Sequence, residues 1–252
     1  MQKAIDTVLH NPLPSAPRPL SFAILRVPFF LEPNYDEDAV FVESNRERLI
    51  QKWGGPAGWD RQKKRHNLKG RGLEAGIPYF NLDRLAANSM ASHRLIQHIG
   101  KTYGLDASEA VYDCLNEYYF VDGHSLNDRP RLARVVANKL SALMTMVKEQ
   151  SSASASSSSS SPPPPPTAEQ LLEFLNGNAG RAEIEQAVQT LHQLGIHGIP
   201  KFIIEGQTVV DGAAHADVFV EVFREIEARG TIANDAVFAD ILGVRWERDQ
   251  VA

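Results

Sequence analysis

The residues best suited to chemistry in this 252-residue chain are one cysteine and eight histidines. Cys114 is the only thiol, so these residues contain neither an internal disulfide nor the C-x-x-C pair that thiol–disulfide exchange commonly uses. Cys114 shares a helical spacing with Val111, Leu115 and Tyr118, and this spacing predicts a buried core cysteine rather than a reactive thiol.

The histidines do not form a metal-ligand pattern. His93 and His98 stand five residues apart, as do His192 and His197, whereas two ligands on one helix face stand four apart. Gly54–Gly58 is rich in glycine but lacks the Gly-Lys-Ser/Thr ending of a phosphate loop. We therefore predict no metal site and no resident cofactor.

Composition is ordinary for a soluble globular protein, with 43% hydrophobic residues, 23% charged residues and a net charge of −5. The acidic balance argues against a nucleic-acid partner, so the basic run Arg61, Lys63, Lys64, Arg65 is interpreted as a solvated helix face rather than a nuclear-localisation signal. No apolar run reaches membrane-spanning length, and residues 1–20 lack the apolar core of a signal peptide. We expect a cytoplasmic protein without a membrane partner.

The most informative stretch lies between Gly195 and Val210. Gly195 is typical of a helix stop, because a residue without Cβ takes positive φ easily. Pro200 has no N–H to donate and fits the first position of a strand. Phe202–Ile204 is the predicted strand, and a Gly-centred turn at Gly206 returns it as a hairpin through Thr208–Val210.

The segment His197–Gly206, HGIPKFIIEG, resembles the cis-proline segment of the DsbA family, which has a thioredoxin fold. Pro28–Pro33 is similar to the end of that family's second core strand. Asn88–Leu95 and Phe120–Asp128 are similar to segments of its FrnE-like subgroup. Lys201 departs from the uncharged residue that relatives often carry after the proline.

The resemblance implies an α/β, thioredoxin-like core interrupted by an all-helical insertion, with a cis Ile199–Pro200 bond. It begins at the second core strand, so the family's C-x-x-C strand and helix are not matched, and we expect an N-terminally incomplete version. It assigns substrate binding to Gly198, Ile199 and Pro200, and to His93 through the subgroup motif. The resemblance also makes glutathione a candidate small-molecule ligand.

The expected organisation has five parts. Residues 1–20 are a flexible leader interrupted by prolines, residues 21–43 are the first core part with a strand at Ser21–Phe30, and residues 44–180 are the helical insertion. Residues 181–229 are the second core part, and residues 230–252 are a tail. The Ser/Pro-rich stretch at 150–166 is expected to be a disordered spacer rather than an SH3-type or profilin-type ligand.

Three function hypotheses remain open at this stage, and they leave open whether the chain is an enzyme. The first is a DsbA-family thiol–disulfide oxidoreductase-like protein that is catalytically incomplete in these residues. The second is a non-catalytic peptide-binding or thiol-binding module, and the third is a kappa-like glutathione-dependent transferase or isomerase. The expected partner is a thiol- or disulfide-containing peptide or small molecule, and an exposed sheet edge could also pair with a second copy.

Overall fold

The computed structural model describes residues 1–74, 76–77, 79–153 and 163–245. A π-type turn at Glu117–Val121 follows the sixth helix. In chain order the helices and strands are α1 (Gln2–His10), α2 (Asn45–Lys52), α3 (Pro56–His66), α4 (Leu68–Glu74), α5 (Met90–Tyr103), α6 (Leu105–Asn116), α7 (Arg129–Ala153), α8 (Ala168–Asn176), α9 (Arg181–Gln193), β1 (Lys201–Ile204), β2 (Thr208–Asp211), α10 (Ala216–Arg229) and α11 (Ala239–Leu242).

Two helix starts follow signals that are visible in the sequence. The Ser44 hydroxyl accepts a hydrogen bond from the Glu47 N–H, and the Glu47 carboxylate accepts one from the Ser44 N–H. Thr167 and Gln170 make the same reciprocal pair at the start of α8. Each capping box satisfies backbone donors that a helix start leaves without partners.

The chain forms two compact units. The first contains residues 1–29, 100–106 and 182–252, and therefore holds α1, most of α9, the two strands, α10 and α11. Its core forms where α1 packs on α10 and on the hairpin. The buried members of this cluster are Ala4, Ile5, Val8, Val210, Phe219 and Phe223.

The start of the chain differs from the flexible leader expected for residues 1–20. Gln2–His10 is helix α1, and its Ala4, Ile5 and Val8 are buried. The prolines begin only after this helix, at Pro12, so they interrupt nothing within it. The following chain is tied down as well, because the Leu13 N–H donates to the buried Glu227 carboxylate at 2.9 Å.

The strand predicted at Ser21–Phe30 is wrong, because those residues belong to no ladder in the described chain. The stretch is nevertheless anchored: Leu20, Phe22 and Ile24 pack on the first unit's apolar cluster, and Phe22 meets Phe223 edge to face with ring centroids 4.9 Å apart. The apolar side chains of this stretch therefore serve packing on the first unit's cluster and not pairing in a sheet.

The second unit contains residues 30–99 and 107–181 and is helical apart from an isolated bridge between Ser44 and Leu85 in the described residues. Residues 30–43, expected in the first core part, group with this unit. Helices α5, α6, α7 and α8 bury its core, which includes Leu95, Ile99, Val111, Leu115, Leu132, Val136, Leu140, Leu171 and Leu175.

A buried arginine ties α5 to the end of α8. Arg94 is 2% exposed and donates to four backbone carbonyl oxygens, those of Phe174, Leu175, Gly177 and Ala179, at 2.6 to 3.1 Å. These oxygens include helix-end carbonyls that have no partner within α8. One guanidinium therefore replaces the missing turn of helix as their hydrogen-bond donor.

The remaining segments are the predicted spacer and the tail. The predicted spacer at 150–166 lies partly outside the described residues, which omit 154–162, and α7 includes residues up to Ala153. The tail contains a short helix, α11, which is followed by a glycine with positive φ, Gly243.

Candidate functional site

The candidate site is built on the β1–β2 hairpin. The strands pair antiparallel with Phe202 opposite Val210 and Ile204 opposite Thr208. Glu205 and Gly206 both take positive φ in the turn, as a tight hairpin requires. Gly206 is also constrained by space, since a Cβ there would come within 2.3 Å of the Asp235 carbonyl oxygen. The predicted hairpin is confirmed.

One edge of β1 is unoccupied by any described strand. The Gly212 N–H donates to the Pro200 carbonyl and the Gln207 N–H to the Ile204 carbonyl, so the even-numbered residues of β1 direct their backbone groups toward β2. Lys201 and Ile203 therefore direct their N–H and C=O groups away from β2. The sheet contains only β1 and β2 in the described chain, so this row of backbone groups is open to an added strand.

The three predicted binding residues of this unit lie at the start of that edge. Gly198, Ile199 and Pro200 are all exposed, and Ile199 is 51% exposed. The Ile199–Pro200 peptide bond is cis. An extended chain laid along β1 would meet these residues immediately before the outward backbone groups of Lys201 and Ile203.

The inward-facing side chains of β1 are anchored in the core of the first unit. Phe202 and Ile204 pack on the first unit's apolar cluster, and the Phe202 ring meets Phe219 edge to face at 4.9 Å. Lys201 is held across the strands by Asp211, with 2.7 Å between Nζ and the carboxylate. The open edge is therefore presented by a strand whose inward side chains are fixed by packing.

His93, the fourth predicted binding residue, belongs to the second unit. It is half-buried on α5, and its ring packs edge to face on Phe30 at 5.1 Å. This aromatic contact accounts for the position of the ring within its own unit. A binding role for His93 stays a prediction.

Cys114 is less buried than its helical spacing suggests. It lies on α6 and is half-buried rather than fully enclosed. Burial raises the pKa of the Cys114 thiol, Glu117 and Asp122 raise it further, and Lys139 opposes them. A raised pKa lowers the thiolate fraction at neutral pH, and the thiolate is the reactive form. The position does not favour nucleophilic chemistry.

No group of three or more His, Cys, Asp or Glu side chains in the described residues is arranged to hold a metal ion. Among the described helices, none combines the length and apolar composition that crossing a membrane requires.

The sequence indicated Gly198, Ile199 and Pro200, whose binding role stays a prediction, and it did not single out the backbone groups of Lys201 and Ile203. Strand parity decides which residues face the open edge, and parity is visible only once the register with β2 is known. In Lys201–Ile204 only the first residue is polar, so no polar–apolar alternation marks the side of each residue, and a one-residue shift in register would reverse the assignment.

The described chain combines a two-stranded hairpin, helices packed on that hairpin and a helical unit that interrupts the first unit in the sequence. The structure is similar to the crystal structure of a probable DsbA oxidoreductase from Streptomyces coelicolor, with a TM-score of 0.59 and 24% sequence identity. The similarity covers 83% of this chain and 76% of that chain. No family model matches the sequence, and no curated protein matches it either. The expected fold class, a thioredoxin-like core with a helical insertion, is confirmed at the level of the fold.

Proposed function

We propose that this chain is a thiol–disulfide oxidoreductase-like protein of the FrnE-like DsbA type, whose 252 residues bind an extended peptide without themselves carrying out thiol exchange. The peptide would pair with the open edge of β1, next to Gly198, Ile199 and Pro200. The similarity to a probable DsbA oxidoreductase supports the fold on which this proposal rests.

The observation that carries the proposal is the direction of the backbone groups in β1. Lys201 and Ile203 offer N–H and C=O groups with no described partner, on a strand whose other edge is paired. Extended peptides bind such edges by adding a strand, with main-chain hydrogen bonds supplying affinity. Exposed Ile199 offers an apolar contact beside them.

Redox chemistry within these residues lacks a second thiol. Exchange requires an accessible thiolate and commonly a resolving partner, whereas Cys114 is alone, half-buried and has a raised pKa. A resolving thiol would have to come from outside these 252 residues. In this proposal the 252 residues bind the peptide but do not carry out its oxidation or reduction.

The proposal is tested by replacing one outward N–H. Ile203→Pro removes a donor from the open edge while leaving the ladder bonds of Phe202 and Ile204 to β2, and proline is tolerated on strand edges. We expect an extended octapeptide with a central cysteine to shift nuclear magnetic resonance signals of residues 198–203. Its affinity should fall about tenfold or more in the variant, because each backbone bond contributes on the order of 1 kcal/mol and the ring blocks its neighbours.

The matched control is Val209→Pro. In the native chain Val209 lies directly opposite Ile203 but directs its N–H to the outer edge of β2. The variant should leave peptide affinity unchanged. Equal loss in both variants, or shifts confined to residues outside the hairpin, would refute docking at β1. A parallel titration with reduced glutathione, followed by an assay of its conjugation to an aryl chloride, separates this proposal from the kappa-like alternative, which requires turnover.

A further inference from the structure

A second surface, on the helical unit, combines uncompensated positive charge with exposed apolar side chains. Residues 61–71 contain six Lys or Arg residues and no Asp or Glu, in a chain whose net charge is −5. Lys63 forms an ion pair with Asp60 at 2.7 Å. The other five cations form no ion pair within the described residues and are exposed: Arg61, Lys64, Arg65, Lys69 and Arg71.

The five cations lie on two consecutive helices, α3 and α4. Helix α3 ends at His66, its C-cap Asn67 takes positive φ, and α4 begins at the next residue. The Arg71 N–H donates to the Asn67 carbonyl at 3.0 Å, and the Asn67 N–H donates to the Lys63 carbonyl at 3.1 Å. The two helices are therefore joined without an intervening loop, and all five cations lie within eleven consecutive residues, 61–71.

Exposed apolar side chains lie in the last turn of α4 and in the residues that follow it. Leu73, Ile77, Tyr79 and Phe80 are each between 44% and 57% exposed. The Ile77 N–H donates to the Gly72 carbonyl at 2.7 Å, so the chain folds back on the last turn of α4 and brings Ile77 beside the basic helix. The Phe80 ring stacks on Phe120 at 5.4 Å and lies 4.5 Å below the Arg84 guanidinium, so its exposed side is held in place.

We propose that this basic–apolar surface, defined by the five cations and the four apolar residues, binds an anionic lipid surface. Charge complementarity selects phosphate-rich headgroups, and each Lys or Arg near such a surface adds to the attraction. The adjacent aliphatic and aromatic side chains would enter the boundary between headgroups and acyl chains. Leu73 and Ile77 distinguish this occupant from a nucleic acid, because aliphatic side chains gain little from base stacking.

This inference departs from the sequence-based interpretation of the run as a solvated helix face without a membrane partner. Periodicity gave no reason to group the cations with residues 73–80, since the grouping depends on the turn after α4. It concerns a lipid surface contact by the helical unit alone and is independent of the peptide edge at β1.

The test is co-sedimentation of the full chain with vesicles. We expect partitioning onto phosphatidylcholine vesicles containing one part in three of phosphatidylserine to exceed partitioning onto pure phosphatidylcholine about tenfold or more, and to weaken with salt. The charge-reversal variant Lys64→Glu/Arg65→Glu/Lys69→Glu should lose this difference. The control Lys3→Glu/Arg134→Glu/Lys148→Glu makes the same change in net charge at exposed positions outside this surface. It should retain most of the difference in partitioning between the two kinds of vesicle.

The apolar contribution is tested separately. Ile77→Ser/Tyr79→Ser should weaken vesicle binding several-fold, whereas Leu31→Ser/Phe41→Ser, which alters residues 66% and 62% exposed, should not. Equal effects of the two charge triples, or no anionic selectivity in the native chain, would overturn the proposal. So would tighter binding to single-stranded RNA than to the anionic vesicles, in favour of a nucleic-acid partner.

Discussion

At the scale of single residues, charged groups that leave water do so with specific partners. Arg94 reaches four carbonyl oxygens, and Glu227, which is 1% exposed, accepts from the Leu13 N–H and pairs with Arg224. The Arg224–Glu227 pair is local to α10, but the Leu13 contact and the four carbonyl partners of Arg94 could not be inferred from local sequence, because those partners stand 80 or more residues away. An unpaired charge at either position would be strongly unfavourable.

Glu37 provides a pH-dependent test of one such pair. Arg181 donates two hydrogen bonds to its carboxylate, one of them at 3.0 Å, and the pair holds the pKa of Glu37 below its ordinary value of 4.5. A carboxyl group with a depressed pKa in the folded state stabilises the fold above its unfolded pKa. That contribution is lost as the pH falls through the folded-state pKa.

We therefore expect Glu37→Gln to lower the free energy of unfolding by roughly 1 kcal/mol at neutral pH, a modest value because both side chains are about 30% exposed. The variant should also show a shallower loss of stability below pH 4.5. Urea unfolding across the acid range measures both effects. Glu173→Gln, an exposed carboxylate on α8 with no described ion pair, is the control, and identical acid profiles for Glu37→Gln and the native chain would contradict the assignment.

At the scale of elements, α1 shows how tertiary packing decides local structure. The helix is nine residues long, which is too short to be stable alone in water. It persists because Ala4, Ile5 and Val8 face Phe219 and Phe223 of α10. Its stability therefore depends on burial and not on helix propensity.

Shortening a buried side chain of α1 should lower the free energy of unfolding. Ile5→Ala is expected to destabilise the chain by about 3 kcal/mol, since the removed atoms leave a cavity in a packed core. Thr7→Ala, on the exposed side of the same helix, should change stability by no more than about 0.5 kcal/mol. Thermal and urea unfolding give both values, and equal effects would show that α1 does not pack as described.

At the scale of the whole molecule, the open edge of β1 gives the chain a means of pairing with its own copies. An unpaired strand edge is a template for association. The predicted self-association through this edge stays a prediction, and it competes with the proposed peptide for the same backbone groups.

We expect sedimentation velocity to show a species of twice the monomer mass that grows with protein concentration. Ile203→Pro should suppress it, because the variant lacks an outward N–H on β1, whereas Val209→Pro should not. Excess of the octapeptide should also dissociate the dimer. Concentration-dependent association that is indifferent to Ile203→Pro would place the contact elsewhere.

The features that the sequence determined by itself are those whose partners lie within a few residues. Ser44 with Glu47, Thr167 with Gln170, the stop at Gly195 and the turn at Gly206 each depend on local hydrogen bonds or on the freedom of glycine to take positive φ. Gly198, Ile199 and Pro200 could be named together for the same reason, since they are contiguous in the chain, and their binding role stays a prediction.

Tertiary structure alone decided what depends on distant neighbours. Residues 21–30 have the composition of a strand, yet they join no ladder in the described chain, because a strand requires a partner and composition does not supply one. Residues 2–10 become a helix since α10 offers an apolar face. The turn at Gly206 sets the register of β1 with β2, but only the tertiary structure shows that no described strand pairs with the other edge of β1, at Lys201 and Ile203.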